Sequence, residues 1–288
     1  MKLYHHHKPK RSTSFSFANG KDSEVLFLEH LKKYPNDPCL AHYEKYPLSY
    51  KTNNFGFRSP DDIVKDFDGN IYLGCSHTWG IGHYAKNVWA NILNEKVGGK
   101  CLNLGVPGSG IATGVRLLGD LLGEVKPKNI FCHYVHPYRY EFWDWKGKYW
   151  RTISPNYNYD IGIMSSEVPD LMKRFLAQEE LAMAYYKSNF ALLKNIAKEM
   201  GAKLHSIEFI NLPSIHIDSK LPPGLPVPYK ARDLQHFTTI WHQDTADRFY
   251  KAYTDNEPLV ENPMEKTILV ENKYLKSSAP GLFDKPLL

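Results

Sequence analysis

Between residues 71 and 135 short apolar runs alternate with amphipathic stretches, and this alternation limits the possible folds more than any other feature of the chain. Residues 71–73 form an apolar run closed by Gly74. Residues 84–96 place Ala85, Val88, Trp89, Ile92 and Leu93 on one helical face. Residues 101–104 read as a second strand, and 111–122 set Ile111, Val115, Leu118 and Leu122 at helical spacing. A third, longer strand is expected over 129–135. Strand, helix, strand, helix, strand implies right-handed βαβ units and a parallel sheet. Downstream, 179–200 is the longest helical pattern, ended by Gly201, and 203–210 reads as a fourth strand. A short fifth strand is expected over 215–218 and a closing helix over 245–253. The expectation is an α/β domain with a parallel sheet of about five strands. At 288 residues, one such domain with insertions is the simplest reading.

The flanks and one internal stretch depart from the pattern. Residues 1–66 lack a strong period and are expected to form an N-terminal arm and extension. Within them 23–33 reads as a short helix and 53–58 as a turn in which Gly56 takes positive φ. The run from His5 to Arg11 is expected to be a mobile arm. The patterned domain spans 67–255, and the Pro-rich tail 256–288 is irregular. Residues 137–180 interrupt the alternation, and Tyr138, Tyr140, Phe142, Trp143, Trp145, Tyr149 and Trp150 crowd its first part. This insertion follows the third strand at the edge where open α/β sheets bind ligands. It reads either as a lid packed on the sheet or as a stacking platform for a sugar ring or another flat substrate.

Bulk properties exclude several classes. A net charge of +5 is too modest to argue for nucleic acid. No apolar run approaches the roughly 18 residues of a membrane span, and the first twenty residues lack the apolar core of a secretory signal. Cys39, Cys75, Cys101 and Cys132 form no CxxC pair, so a reducing, cytoplasmic setting is expected. Cys132, His133 and His136 do not make a recognisable metal-ligand set, and no cofactor is expected. Gly105–Gly110 has the spacing of a phosphate loop, but Ile111-Ala112 stands where Lys-Ser/Thr is needed. The oligomeric state is left open.

Two short segments carry chemistry. Ser76 follows the first strand on a tight turn, the setting of an exposed nucleophile. Asp233 and His236, three residues apart, are the types that orient a base and take a proton. Gly74-Cys75-Ser76-His77-Thr78-Trp79-Gly80, Asn103-Leu104-Gly105-Val106-Pro107-Gly108 and Asp233-Leu234-Gln235-His236 occur in order, each after the right kind of element. Together they resemble the first, second and last blocks of the SGNH, or GDSL-type, hydrolases over roughly residues 68–255. The first block departs from that family by Cys75 in place of Asp. The third departs more, because no Asn stands in the stretch Cys132–Arg139.

The resemblance implies a three-layer α/β/α, flavodoxin-like fold and hydrolysis of an ester of a small molecule or carbohydrate, such as an O-acetylated sugar. It assigns Ser76 as nucleophile, His236 as base and Asp233 as its orienting partner, with the N–H groups of Ser76 and Gly105 as oxyanion donors. His136 or Arg139 would replace the missing Asn. Trp79, Tyr138, Arg139 and Trp143 are the candidate substrate contacts. Two alternatives stay open: an O-acyltransferase, and a binding protein that keeps the fold without the chemistry.

Overall fold

The computed structural model describes residues 11–18, 22–133, 137–146, 148–153, 176, 178–207, 230–234 and 236–255. In chain order the elements are β1 (Ser14–Phe15), α1 (Glu24–Lys33), α2 (Pro38–Lys45), β2 (Tyr50–Lys51), β3 (Asn70–Leu73), α3 (Ser76–Trp79), α4 (Trp89–Val97) and β4 (Cys101–Asn103). They continue with α5 (Ile111–Leu121), β5 (Asn129–His133), β6 (Tyr140–Asp144), β7 (Tyr149–Ile153), α6 (Glu179–Glu199), β8 (Lys203–Ile207) and α7 (Thr239–Thr254).

The central sheet has the order β4-β3-β5-β8 and is parallel throughout. Counted along the chain, its strands lie in the order 2-1-3-4, as in flavodoxin-like doubly wound sheets. The strands are buried on both faces, so adjacent residues feed different cores. Ile71, Leu73, Leu102, Ile130 and Cys132 face one core with Leu117, Leu118 and Leu121 of α5 and Leu193 of α6. Tyr72, Cys101 and Phe131 face the other, with Trp89 and Leu93 of α4 and Trp241 and Phe249 of α7. Each such aliphatic or aromatic side chain contributes roughly 1.5–3 kcal/mol through burial. The result is an α/β/α sandwich whose first three strands deliver their following loops to one edge. The expected fifth strand at 215–218 lies outside the described residues, as do the arm at 1–10, the tail from 256 and much of the insertion.

Four local expectations are refined. The helix expected from residue 84 starts at Trp89, after a 3-10 turn at Ala85–Asn87. Its first N–H is taken by His242 Nδ1 at 3.2 Å, which caps the helix from α7. The closing helix starts earlier than expected, at Thr239, where Thr238 accepts from the Trp241 N–H at 3.3 Å. The aromatic insertion contains an antiparallel hairpin of β6 and β7, in which Trp143 pairs with Trp150. Finally, the described parts of the N-terminal extension, residues 12–18 and 22–66, pack on the sandwich. Its β1 and β2 pair with each other, and Tyr43, Leu48 and Tyr50 form a core with Trp79.

Two glycines make the turns at the sheet edge possible. A Cβ on Gly74 would lie 2.1 Å from Thr78 Oγ1, and one on Gly105 would lie 2.4 Å from the Trp79 backbone nitrogen. The loop after β4 therefore lies directly against α3. Gly105→Ala is expected to destabilise the protein by about 1–3 kcal/mol, because backbone cannot move aside as a flexible side chain can. A urea unfolding series measures this.

Candidate active site

Ser76 is the first residue of α3, directly beyond the C-terminal end of β3, and is half-buried. As the first residue of a helical turn its N–H has no acceptor within the helix. Its hydroxyl lies 4.0 Å from Cys75 Sγ. The cysteine that replaces the expected Asp is itself buried and free.

Asp233 and His236 meet within one short loop. Asp233 is buried, and its Oδ2 bonds His236 Nδ1 while its Oδ1 accepts from the His236 backbone N–H at 3.1 Å. The loop reaches this geometry through Leu234, whose φ of 57° puts a branched side chain in the left-handed region. Non-glycine residues hold that conformation only where surrounding structure imposes it. Because Nδ1 is committed to Asp233, Nε2 is the edge of His236 available for proton transfer.

His77 joins the two halves. Its ring centroid lies 5.1 Å from that of His236 and 4.4 Å from that of Phe237, so the residue after Ser76 packs on the loop that carries His236. Behind this contact, Trp241 lies 5.3 Å from His77 and 5.1 Å from His133, and His83 lies 4.6 Å from His242. Burial pushes His83 down to about 4 and His133 to about 3, and holds His77 and His242 well below the ordinary imidazole value. These four rings are therefore neutral at pH 7 and bring no positive charge to His236.

The other expected site residues fall differently. Gly105 is adjacent to α3, but its N–H donates to Asn103 Oδ1 at 3.0 Å. Asn103 also donates through Nδ2 to the Thr78 carbonyl at 2.6 Å. It thus ties the second block to the first, a role the sequence reading missed. A polar side chain bonding the backbone two residues on is the signal available in the sequence. Trp79, expected to contact substrate, is packed 4.8 Å from Tyr50 and under Arg58. Tyr138 is likewise buried, against Tyr140 and Ala182. Arg139 donates to the Ser109 carbonyl at 3.0 Å and so anchors the hairpin root beside the second block. Trp143 lies half-buried on the hairpin, 5.6 Å from Trp150 and 6.4 Å from Trp145, which is 83% exposed. His136 lies outside the described residues.

A cavity of about 10 Å³ opens at this edge, lined by Leu73, Gly74, Leu104, Ile111, Leu117 and Cys132 among others. Among the described residues no three His, Cys, Asp or Glu side chains converge as a metal would require. Among them also, no helix is long and apolar enough to cross a membrane.

No protein-family model matches the chain, and no curated protein matches it in sequence. Solved structures give distant likenesses. One is TesA, 15% identical, with 66% of this chain and 75% of that one covered and a TM-score of 0.30. Another is the psychrotrophic esterase EstA from Pseudoalteromonas sp., in a structure inhibited by monoethylphosphonate. It is 13% identical, with 65% and 97% covered and a TM-score of 0.32.

Proposed function

We propose that this chain is a serine esterase of the SGNH type, acting on a short-chain ester such as an O-acetylated carbohydrate. The observation that carries the reading is the bond between buried Asp233 and half-buried His236, set at the sheet edge against the residue that follows Ser76. Ser76 Oγ attacks the acyl carbon while His236 Nε2 takes its proton. The ester C–O bond then breaks, and His236 returns the proton to the departing alcohol. Water repeats the cycle on the acyl-enzyme and releases the acid. The Ser76 N–H is the first donor to the developing oxyanion. An alcohol in place of that water would make the same site an O-acyltransferase.

One feature supports the substrate class. The exposed indole of Trp145, next to Trp143 on the hairpin, offers a flat apolar surface of the kind that sugar rings stack on.

The test is turnover of p-nitrophenyl acetate by the wild type and by Asp233→Asn. The variant keeps the shape of the loop but loses the charge that orients and stabilises the imidazolium. Its kcat is expected to fall about 10⁴-fold, and unchanged turnover would remove Asp233 from the mechanism. A second reading, a binding protein that has lost the chemistry, is favoured by one observation. The Gly105 N–H, an expected oxyanion donor, is already bonded to Asn103.

A further inference from the structure

We propose that Asp22, in the N-terminal segment, is a positioning residue that sets the Asp233–His236 loop through a buried bond network to Arg232, Tyr50 and Gly82. The proposal deepens the esterase reading and rests on it for the role given to His236.

Asp22 is 2% exposed and accepts from Arg232 Nε at 2.8 Å and Nη2 at 2.7 Å, a two-pronged contact. It also accepts from the Tyr50 hydroxyl at 2.5 Å and the Ala18 N–H at 3.4 Å. Arg232 donates further to the Ser16 carbonyl at 2.5 Å, and its guanidinium lies 4.1 Å over Phe17. All of these partners of Arg232 come from the segment before the sheet, and the next residue along the chain is Asp233. The direction of the Asp233 side chain is therefore set one peptide away from a guanidinium that cannot turn.

The same segment grips the loop that follows α3. Gly82 N–H donates to the Tyr50 hydroxyl at 2.8 Å, and Gly82 accepts from the Arg232 N–H at 2.9 Å. The Tyr43 hydroxyl lies 2.9 Å from the carbonyls of both Gly82 and Lys230. The crossing is tight: a Cβ on Gly82 would lie 2.9 Å from Ala231 Cβ and 3.0 Å from the Arg232 nitrogen. Arg58, also from the segment, donates to the carbonyls of Trp79, Gly80 and His83, the last at 2.7 Å. The loop carrying the base and the loop leaving the nucleophile thus share one support, in which Asp22 is the buried counter-charge. Arg232 holds its charge in all conditions of interest, so removing the charge of Asp22 leaves a buried cation without its partner.

The experiment follows the His236 Nδ1–H by NMR, assigned by its loss in His236→Gln, alongside p-nitrophenyl acetate kinetics and circular dichroism. Wild type should show a resolved, exchange-protected signal. In Asp22→Asn the signal should broaden or vanish while the fold persists. Its kcat should fall about 10- to 100-fold, with KM changed by less than about threefold. Asp22→Glu should restore part of both readouts, and Asp247→Asn, a surface control on α7, should change neither. If Asp22→Asn fails to fold, Tyr50→Phe decides the matter, because it deletes only the hydroxyl that links Asp22 to Gly82 and should shift both readouts the same way. A folded Asp22→Asn with unchanged signal and kcat overturns the proposal, as does a folded wild type without the signal. A signal that responds to Asp22 in a wild type without turnover upholds the positioning and overturns the esterase reading.

Discussion

Ser76→Ala is expected to lower kcat for a short acyl ester about 10⁶-fold while leaving the thermal midpoint close to that of the wild type. Both parts follow from the position of the side chain. Ser76 opens a one-turn helix, and among the described residues its hydroxyl has only a 4.0 Å approach to Cys75 Sγ. Little stability is therefore lost with it. The helical turn itself is held by other groups, including the Asn103 bond to the Thr78 carbonyl and the Arg58 bonds to Trp79 and Gly80. Without the oxygen, the Asp233–His236 pair has no nucleophile to activate, and only the residual effect of the oxyanion site remains. A fall in kcat together with collapse of the fold would mean that the residue is structural.

The second large effect is acid lability. His83, His133, His205 and His242 are fully buried, and burial holds them at about 4, about 3, about 4 and well below the ordinary value respectively. An unfolded chain binds protons at these four sites below about pH 6.5, whereas the folded protein does not. Stability from their neutrality is complete above that pH and is lost as pH falls toward the folded values. With His77, which burial also keeps neutral, up to five protons differ between the states, and the slope approaches roughly 7 kcal/mol per pH unit. Against a total of about 5–15 kcal/mol for a typical protein, this unfolds the chain between about pH 6 and pH 4. Guanidinium unfolding at pH 7.5, 6 and 5 measures it. A flat stability profile across that range would show that these rings are not kept neutral by burial.

The sheet was legible in the sequence because both of its signals are local. Ile71-Tyr72-Leu73 and Ile130-Phe131-Cys132 are unbroken apolar runs, and amphipathic helical stretches lie between them. The Asp233–His236 contact was legible for the same reason, since its partners are three residues apart. The hairpin was missed although Tyr140-Glu141-Phe142-Trp143-Asp144 and Tyr149-Trp150-Arg151-Thr152-Ile153 are rich in strand-forming residues. Their aromatic crowding fits a packed lid or a stacking platform as well as a strand, and it masks the period of two. The burial of Trp79 was not accessible at all. Its ring packs with Phe15 and Tyr50, which come from a segment without periodicity. Asp22 and Arg232 are 210 residues apart, and each alone is an ordinary surface charge until the fold buries them together.

The most direct test of the central claim is intact-mass analysis after treatment with a fluorophosphonate, on the wild type and on Ser76→Ala at neutral pH. Such a probe phosphonylates a serine only when a neighbouring base activates it. The account predicts a single adduct on the wild type and none on Ser76→Ala. A folded wild type that takes no adduct, or a Ser76→Ala variant that still takes it, would contradict the assignment of Ser76 as the nucleophile.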